Sequence, residues 1–372
     1  VNIIMDKEGR GHMRNSFATK WGIIFVGIII GILAALLQYW GNPANMGVCV
    51  ACFLRDIAGA LGLHRAEVVQ YMRPEIMGFV LGSFVAAYLF KEFKPRLGSA
   101  PIVRFVLGFF AMIGALIFLG CPWRAVLRLA GGDFNAILGL IGLAAGIWIG
   151  TIFLKSGYTL GSSHKTYKSA GLIFPVFMLV LLVLMILNPA ITGENKSGMI
   201  FYSIKGPGSL HAPLLISLVV GLGIGFLAQR SRFCTMGAIR DLVLFKQTHL
   251  FAGLVSLLIS AFVMNLLLGQ FNPGFAEQPV AHSMHVWNFA GMMLAGLAFT
   301  LAGGCPGRQL FLSGEGDGDA AVFVIGMLAG AAFSHNFGLA SSGTGATTPG
   351  IAALFIGLAA CLTIGFTMKE SI

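Results

Sequence analysis

Two stretches of this 372-residue chain carry the same chemistry. Gly120-Cys121-Pro122-Trp123-Arg124 and Gly304-Cys305-Pro306-Gly307-Arg308 repeat the pattern Gly-Cys-Pro-x-Arg, 184 positions apart. Proline favours the first turn of a helix, where its missing N–H costs nothing. Pro122 and Pro306 therefore predict two short helices with Cys121 and Cys305 at or near their caps. Gly120 and Gly304 predict a sharp backbone turn just before them. The free N–H groups and dipole at such a helix start make an anion site. The helix field favours thiolate and apolar burial favours thiol, so the charge state of these sulfurs stays open. A thiol at a positive helix end suits a soft, sulfur-bearing anion better than a hard oxyanion, which would call for Ser, Thr and more Arg. Arg124 and Arg308 can either supply charge to that anion or cap neighbouring carbonyls.

A second pair follows the same rule. Cys49 to Asp56 (CVACFLRD) and Cys234 to Asp241 (CTMGAIRD) each run from Cys through six residues to Asp, with Arg just before it, at an offset of 185. Each follows an apolar segment with G-x-x-x-G, Gly27 to Gly31 and Gly221 to Gly225. Gly142 and Gly146 fall on Gly326 and Gly330 at the offset of 184. Two Cys motifs in the same order at nearly the same offset predict an internal duplication. The candidate path residues are Cys49, Cys121, Cys234 and Cys305, supported by Gly120, Pro122, Arg124, Gly304, Pro306 and Arg308.

Other features read as structural. Cys361 sits in an unbroken apolar helix and has no counterpart, as a buried small residue would. Cys49-x-x-Cys52 has redox or metal spacing, but position 52 maps to Gly237, so the duplicated feature is the single Cys49/Cys234. His282-x-x-His285 is metal-like in spacing and reads as a solvated loop. Arg55–Asp56 and Arg240–Asp241 read as structural pairs, and the G-x-x-x-G motifs as close helix packing. No Walker motif, dinucleotide fingerprint or metal-ligand cluster is present, and no cofactor or metal is expected.

Composition says where these motifs sit. The chain is 57% hydrophobic and 10% charged, against roughly 25% charged in soluble domains. Residues 134–154, 169–193, 206–229 and 320–368 contain no Asp, Glu, Lys or Arg. About 20 apolar residues span a bilayer, so an all-α polytopic membrane protein follows. Candidate spans lie near 21–40, 75–91, 102–120, 134–154, 170–189, 212–229, 249–269, 286–304, 320–338 and 350–368, about ten in all. Five per half is an odd number, so the second copy enters the membrane from the opposite side and the halves are inverted. The expected layout is a leader over 1–19, a first repeat over 20–190, an external linker over 191–211 and a second repeat over 212–372. The leader lacks the features of a cleaved signal peptide and is expected to stay. With the N-terminus inside, only Arg55, Arg65, Arg73, Arg124, Arg128, Lys196 and Lys205 of the 24 Lys and Arg fall outside. The positive-inside rule then predicts cytoplasmic termini. The net charge of +10 reflects those inner loops, and no basic patch interleaved with aromatics points to nucleic acid. The segments after each Cys motif are too short to cross. They read as re-entrant half-helices lining a cavity or, failing that, as short interfacial helices.

At these motifs the chain resembles the YeeE/YedE family of bacterial inner-membrane proteins, over nearly its whole length. The resemblance implies a thiosulfate importer of the inner membrane with a cysteine-lined path and short helices entering from both faces. It makes Cys121 and Cys305 the Gly-Cys-Pro cysteines of that family and Cys49 the third member of the relay. The text GCPWRAVLRLAGGD with GCPGRQLFLSGEGDGDA is most similar to the YedE branch associated with selenium metabolism, which implies a sulfur or selenium anion as cargo. It also implies a separate sulfurtransferase-like cytoplasmic partner, since no such domain is fused before Ile372.

Three functions follow, in order: an importer of a sulfur- or selenium-containing anion, which is not an enzyme; a membrane thiol–disulfide oxidoreductase, for which Cys49-x-x-Cys52 argues; and a soft-metal transporter, which would want paired Cys, Met or His in one site.

Overall fold

The computed structural model describes residues 3–5, 11–13 and 16–369. The charged leader residues Asp6, Lys7, Glu8, Arg10 and Arg14 lie outside the described part or outside its described side chains. Fourteen α-helices follow one another: α1 Lys20–Tyr39, α2 Val50–Ala60, α3 Pro74–Leu89, α4 Pro101–Phe118, α5 Pro122–Ala130, α6 Asn135–Lys155, α7 Lys168–Leu187, α8 Leu214–Ser231, α9 Thr235–Phe245, α10 His249–Leu267, α11 His285–Ala302, α12 Pro306–Gly314, α13 Gly318–Asn336 and α14 Thr348–Thr367. Among the described residues strand is confined to two- and three-residue pieces before α1 and in the connections.

Among the described residues nine helices (α1, α4, α6, α7, α8, α10, α11, α13 and α14) are long and apolar enough to cross a membrane. The chain is therefore a multi-pass membrane protein. Their outward faces stay apolar where water would be costly: Ile173, Val176, Leu179, Val180, Val183 and Ile186 of α7 are all exposed. The remaining expected span, 75–91, is the shortest of the ten helices concerned. Helix α3 has 16 residues, about 24 Å at 1.5 Å per residue, against a hydrocarbon core of about 30 Å. It stops where Lys91 turns left-handed (φ 57°).

Helices pair through bare glycine. The carbonyls of Gly253 and Leu257 on α10 lie 2.1 and 2.5 Å from where a Cβ on Gly27 and Gly31 of α1 would be. Likewise the carbonyls of Glu75 and Phe79 on α3 lie 2.8 and 2.3 Å from the Cβ positions of Gly221 and Gly225 on α8. Gly142 and Gly146 of α6 meet the Phe289 and Met293 carbonyls of α11 at 2.1 and 2.0 Å. Gly326 and Gly330 of α13 meet the Phe105 and Phe109 carbonyls of α4 at 2.2 and 2.6 Å. In that last set both partners shift by 184 positions. Such contacts let backbones approach where lipid offers no hydrophobic drive between helices, and they answer the G-x-x-x-G expectation. Helices α4 and α11 also pack on each other.

Four short helices fill the space between these pairs. Helices α5 and α12 have nine residues each, α2 and α9 eleven. Every residue of α2 is buried, and all of α5 but Leu129. Helices this short persist at depth only when enclosed by protein.

Candidate functional site

Each of the four duplicated cysteines is the N-cap of one of these short helices: Cys49 of α2, Cys121 of α5, Cys234 of α9 and Cys305 of α12. All four have extended backbone, and their carbonyls open the helices by accepting from Phe53, Ala125, Ala238 and Gln309 at 2.9–3.0 Å. Pro122 and Pro306 occupy the first helical turn, as the sequence predicts. The Cys49 sulfur accepts from the Cys52 N–H at 3.3 Å and the Cys234 sulfur from the Gly237 N–H at 3.2 Å. The helix starts thus present N–H groups and partial positive charge around sulfur.

The fold brings these caps together in two pairs. Cys49 Sγ lies 3.8 Å from Cys121 Sγ, and Cys234 Sγ lies 3.8 Å from Cys305 Sγ. The six thiols are free and buried. Sequence spacing alone hides this pairing, because 72 and 71 residues separate the partners. The only signal for it is that each half places one Cys-capped helix after another.

The turn before Cys121 is built differently from the expectation. The left-handed residue is Leu119 (φ 63°), with Gly303 (φ 84°) in the corresponding place, and neither Gly120 nor Gly304 has positive φ. Glycine is needed at 120 and 304 for space. A Cβ on Gly120 would stand 3.0 Å from Cδ of Arg124, and one on Gly304 3.2 Å from Nε2 of Gln309.

The two arginines resolve in opposite ways. Arg124 is fully buried and spends its guanidinium on carbonyls: Leu119, Asn45 at 3.3 Å, Pro279 at 3.2 Å and Val280 at 3.1 Å. It thereby holds the strained Leu119 turn that aims Cys121. Its Nη1 also lies 3.9 Å from the Cys52 sulfur, whose other neighbour is the Leu119 carbonyl at 4.0 Å. Cys52, set aside on the sequence because Gly237 replaces it in the second half, is thus packed against the first pair's supports. Arg308 pairs with Glu315 at 3.2 Å and lines a polar cleft of 280 Å³ with Glu92, Lys94, Arg96, Arg232 and Glu315. Glu92 sits in the connection after α3. Burial pushes its carboxyl up, but the Gln229 amide and the Arg232 and Arg230 guanidinium groups outweigh that and hold it below the usual carboxylate range.

Arg55 and Asp56 form the expected structural pair at 2.7 Å, extended by Arg73 on the other carboxylate oxygen at 2.7 Å. Arg240 and Asp241 pair at 2.8 Å. Cys361 is buried in α14. His282 corrects the reading of a solvated loop. It is buried, with Nε2 2.8 Å from the Ile117 carbonyl and Nδ1 3.3 Å from the Met284 N–H. It ties the α11 approach to the end of α4, while His285 is exposed. Among the described residues no group of three or more His, Cys, Asp or Glu is placed to hold a metal ion.

Residues 5–149 and 230–368 match the family described as Sulphur transport, which is well over half the chain. A protein of Spirochaeta thermophila named "Thiosulfate transporter TsuA" is 35% identical over 99 residues, 27% of this chain and 29% of that protein. A protein of Escherichia coli with the same name is 30% identical over 108 residues, 29% of this chain and 30% of that one. The aligned part of this chain spans under a third of the length of either relative.

Proposed function

Because the chain belongs to the sulphur transport (YeeE/YedE) family, we propose that it carries a thiosulfate-like sulfur anion across a bilayer, with Cys49, Cys121, Cys305 and Cys234 as the stations of its path. One observation carries the reading: four buried cysteines cap four short helices, and they meet in two pairs at 3.8 Å. Each helix start offers N–H groups to the oxygens of the anion. Each thiol offers a soft, polarizable contact to its terminal sulfur, and a terminal selenium would fit the same contact. No covalent capture is needed, so the protein is a transporter and not an enzyme.

The duplication reading is supported by contacts that repeat at a constant offset. The pairs Gly142–Phe289 and Gly326–Phe105 are related by 184 in both members, as are Gly146–Met293 and Gly330–Phe109. In the inverted arrangement the Cys49–Cys121 pair is approached from outside and the Cys234–Cys305 pair from the cytoplasm, with both termini in the cytoplasm of a cell whose inner membrane holds the protein. The cleft around Arg308 then opens inward, where a sulfurtransferase-like partner would take the cargo.

Uptake of labelled thiosulfate into proteoliposomes tests the cargo. Thiosulfate should enter and be competed by its sulfur analogues, with sulfate a poor competitor; sulfate competing as well as thiosulfate would make this a general oxyanion site. The oxidoreductase reading draws on the closeness of Cys52 to Cys49 and has its own discriminator. A thiol relay tolerates Cys52→Ala with uptake reduced a few-fold at most, whereas a redox pair loses its activity.

A further inference from the structure

Trp123 stands two residues after Cys121 and is among the most deeply buried large side chains of the protein. Its indole reaches from the first cysteine pair to the second. The ring meets Phe233, the neighbour of Cys234, edge-on with centroids 5.7 Å apart. It lies against Gly307, two residues after Cys305, where a Cβ would stand 3.3 Å from Cε2 and Cζ2 of the indole. Phe79 at 6.0 Å and Phe311 at 6.1 Å complete the packing, and they touch each other at 5.9 Å. All four aromatic residues are buried. The indole Nε1 has no hydrogen-bond partner among the described residues.

Positions 123 and 307 occupy the same place in the two Gly-Cys-Pro-x-Arg motifs, and they touch each other. A position that touches its own repeat mate lies where the halves meet, and there the two side chains compete for one space. Two tryptophans cannot share it. The chain places Trp on one side and Gly on the other, so the duplicated text must differ at this one letter of the motif.

A buried indole N–H left without a partner costs on the order of 1–3 kcal/mol. Tryptophan is retained in cores where its N–H reaches an acceptor. Of the charged groups in these motifs, Arg124 is taken up by carbonyls and Arg308 by Glu315, which leaves the sulfurs of the four caps, between which the anion passes. We infer that Trp123 is the specificity-determining divide of the path: its N–H hydrogen-bonds the anion in transit between the two cysteine pairs, and its ring with Phe79, Phe233 and Phe311 forms a dry constriction that excludes strongly hydrated ions. An apolar constriction gates by refusing water. Sulfate must lose the water on four oxygens there, whereas an anion with a terminal sulfur presents a soft, weakly hydrated end to the ring edges, where the aromatic quadrupole is positive. The inference rests on the thiol-path reading above and adds a residue to it.

The experiment compares wild type, Trp123→Phe, Trp123→Ala and Cys121→Ala in proteoliposomes, with labelled thiosulfate and labelled sulfate as separate probes. Trp123→Phe keeps a ring and removes the donor, and thiosulfate uptake should fall about tenfold, the worth of one hydrogen bond to a charged group. Trp123→Ala opens the constriction and should raise sulfate flux relative to thiosulfate. In parallel, protein labelled with 5-fluorotryptophan gives a 19F resonance assigned by its absence in Trp123→Phe, and that resonance should shift on titration with thiosulfate. Wild-type uptake and wild-type sulfate exclusion in Trp123→Phe, or an unmoved resonance at saturating thiosulfate, overturns the inference. Should Trp123→Ala fail to fold, the Phe variant and the titration decide alone. Cys121→Ala separates the two claims. If it transports like wild type, the thiol path fails; if it is inactive while Trp123→Phe is normal, only the role of Trp123 fails.

Discussion

The Cys49–Cys121 and Cys234–Cys305 sites share a backbone plan and differ in what surrounds it. Both pair two N-cap cysteines at 3.8 Å, and both start one helix with proline. Around the first pair the polar groups are consumed internally. Arg124 is fully buried and bonded to four carbonyls, Cys52 fills the space beside it, and Asp56 is held between two arginines. Around the second pair the arginine pairs with Glu315 and lines a cleft that also holds Lys94, Arg96, Arg232 and Glu92. The difference teaches that the thiol-capped helix start is the repeated structural unit, while the arginine three residues after it is not one role used twice. At the first site it builds the turn; at the second it contributes to the electrostatics of a cleft.

The shared part is broken most severely at the glycine contacts that hold the halves together. Gly146→Leu and Gly330→Leu place a side chain where carbonyls lie 2.0 and 2.6 Å from the Cβ position. Neither backbone can yield without separating α6 from α11 or α13 from α4. Both variants should lose folded, monodisperse protein in detergent. If one expresses and behaves normally while the other fails, the two halves are not packed equivalently.

The differing part is tested by the arginines. Arg124→Ala strands the buried carbonyls of Leu119 and Asn45 and releases the half-buried ones of Pro279 and Val280, at about 3 kcal/mol. The thermal midpoint should fall by many degrees. Arg308→Ala leaves Glu315 with Arg232 at 3.1 Å, and the change in stability should stay within about 1 kcal/mol. Arg308→Ala should instead weaken uptake and its salt dependence. Equal destabilisation by the two substitutions would erase the distinction drawn above.

The smallest effect concerns pH at the second site's cleft. Glu92 is held below the usual carboxylate range by the Gln229 amide, Arg232 and Arg230, against the opposing push of burial. A depressed folded value means its stabilisation is fully present above the unfolded-chain value of about 4.3 and is lost as pH falls through the folded one. Glu92 is partly exposed, so solvent screening keeps the contribution modest. Thermal midpoints of wild type and Glu92→Gln should differ at neutral pH and converge in acid below about pH 4. A gap that widens in acid would reverse the sign.

Much of this was legible in the sequence, and the reasons are local. Uncharged stretches such as 320–368 can only be membrane helices, Pro122 and Pro306 announce helix starts, and glycines four apart announce close packing. What was not legible depends on distance in the fold. Nothing near Cys49 in the sequence says that Cys121 is its neighbour. Arg124 and Arg308 read alike because their motifs are alike, and what separates them includes the carbonyls of Pro279 and Val280, more than 150 residues away. His282 looked solvated because its loop is polar, yet its partner is the carbonyl that ends α4. Gly120 looked like the turn residue, and the left-handed position fell on Leu119 because the cap of α4 closes one residue earlier. At α3 the hydropathy pattern runs two residues past the helix, which closes at Leu89 just before Lys91 turns left-handed.

The central claim is that paired thiols at helix starts carry the anion. Its most direct test is uptake of labelled thiosulfate by the Cys121→Ala, Cys305→Ala double variant, in cells lacking other importers and with expression matched to wild type. The account predicts no uptake above background, with Cys361→Ala, a substitution in α14 outside either motif, transporting normally. Wild-type uptake by the double variant would contradict it and reduce the two Gly-Cys-Pro motifs to devices for turning the chain.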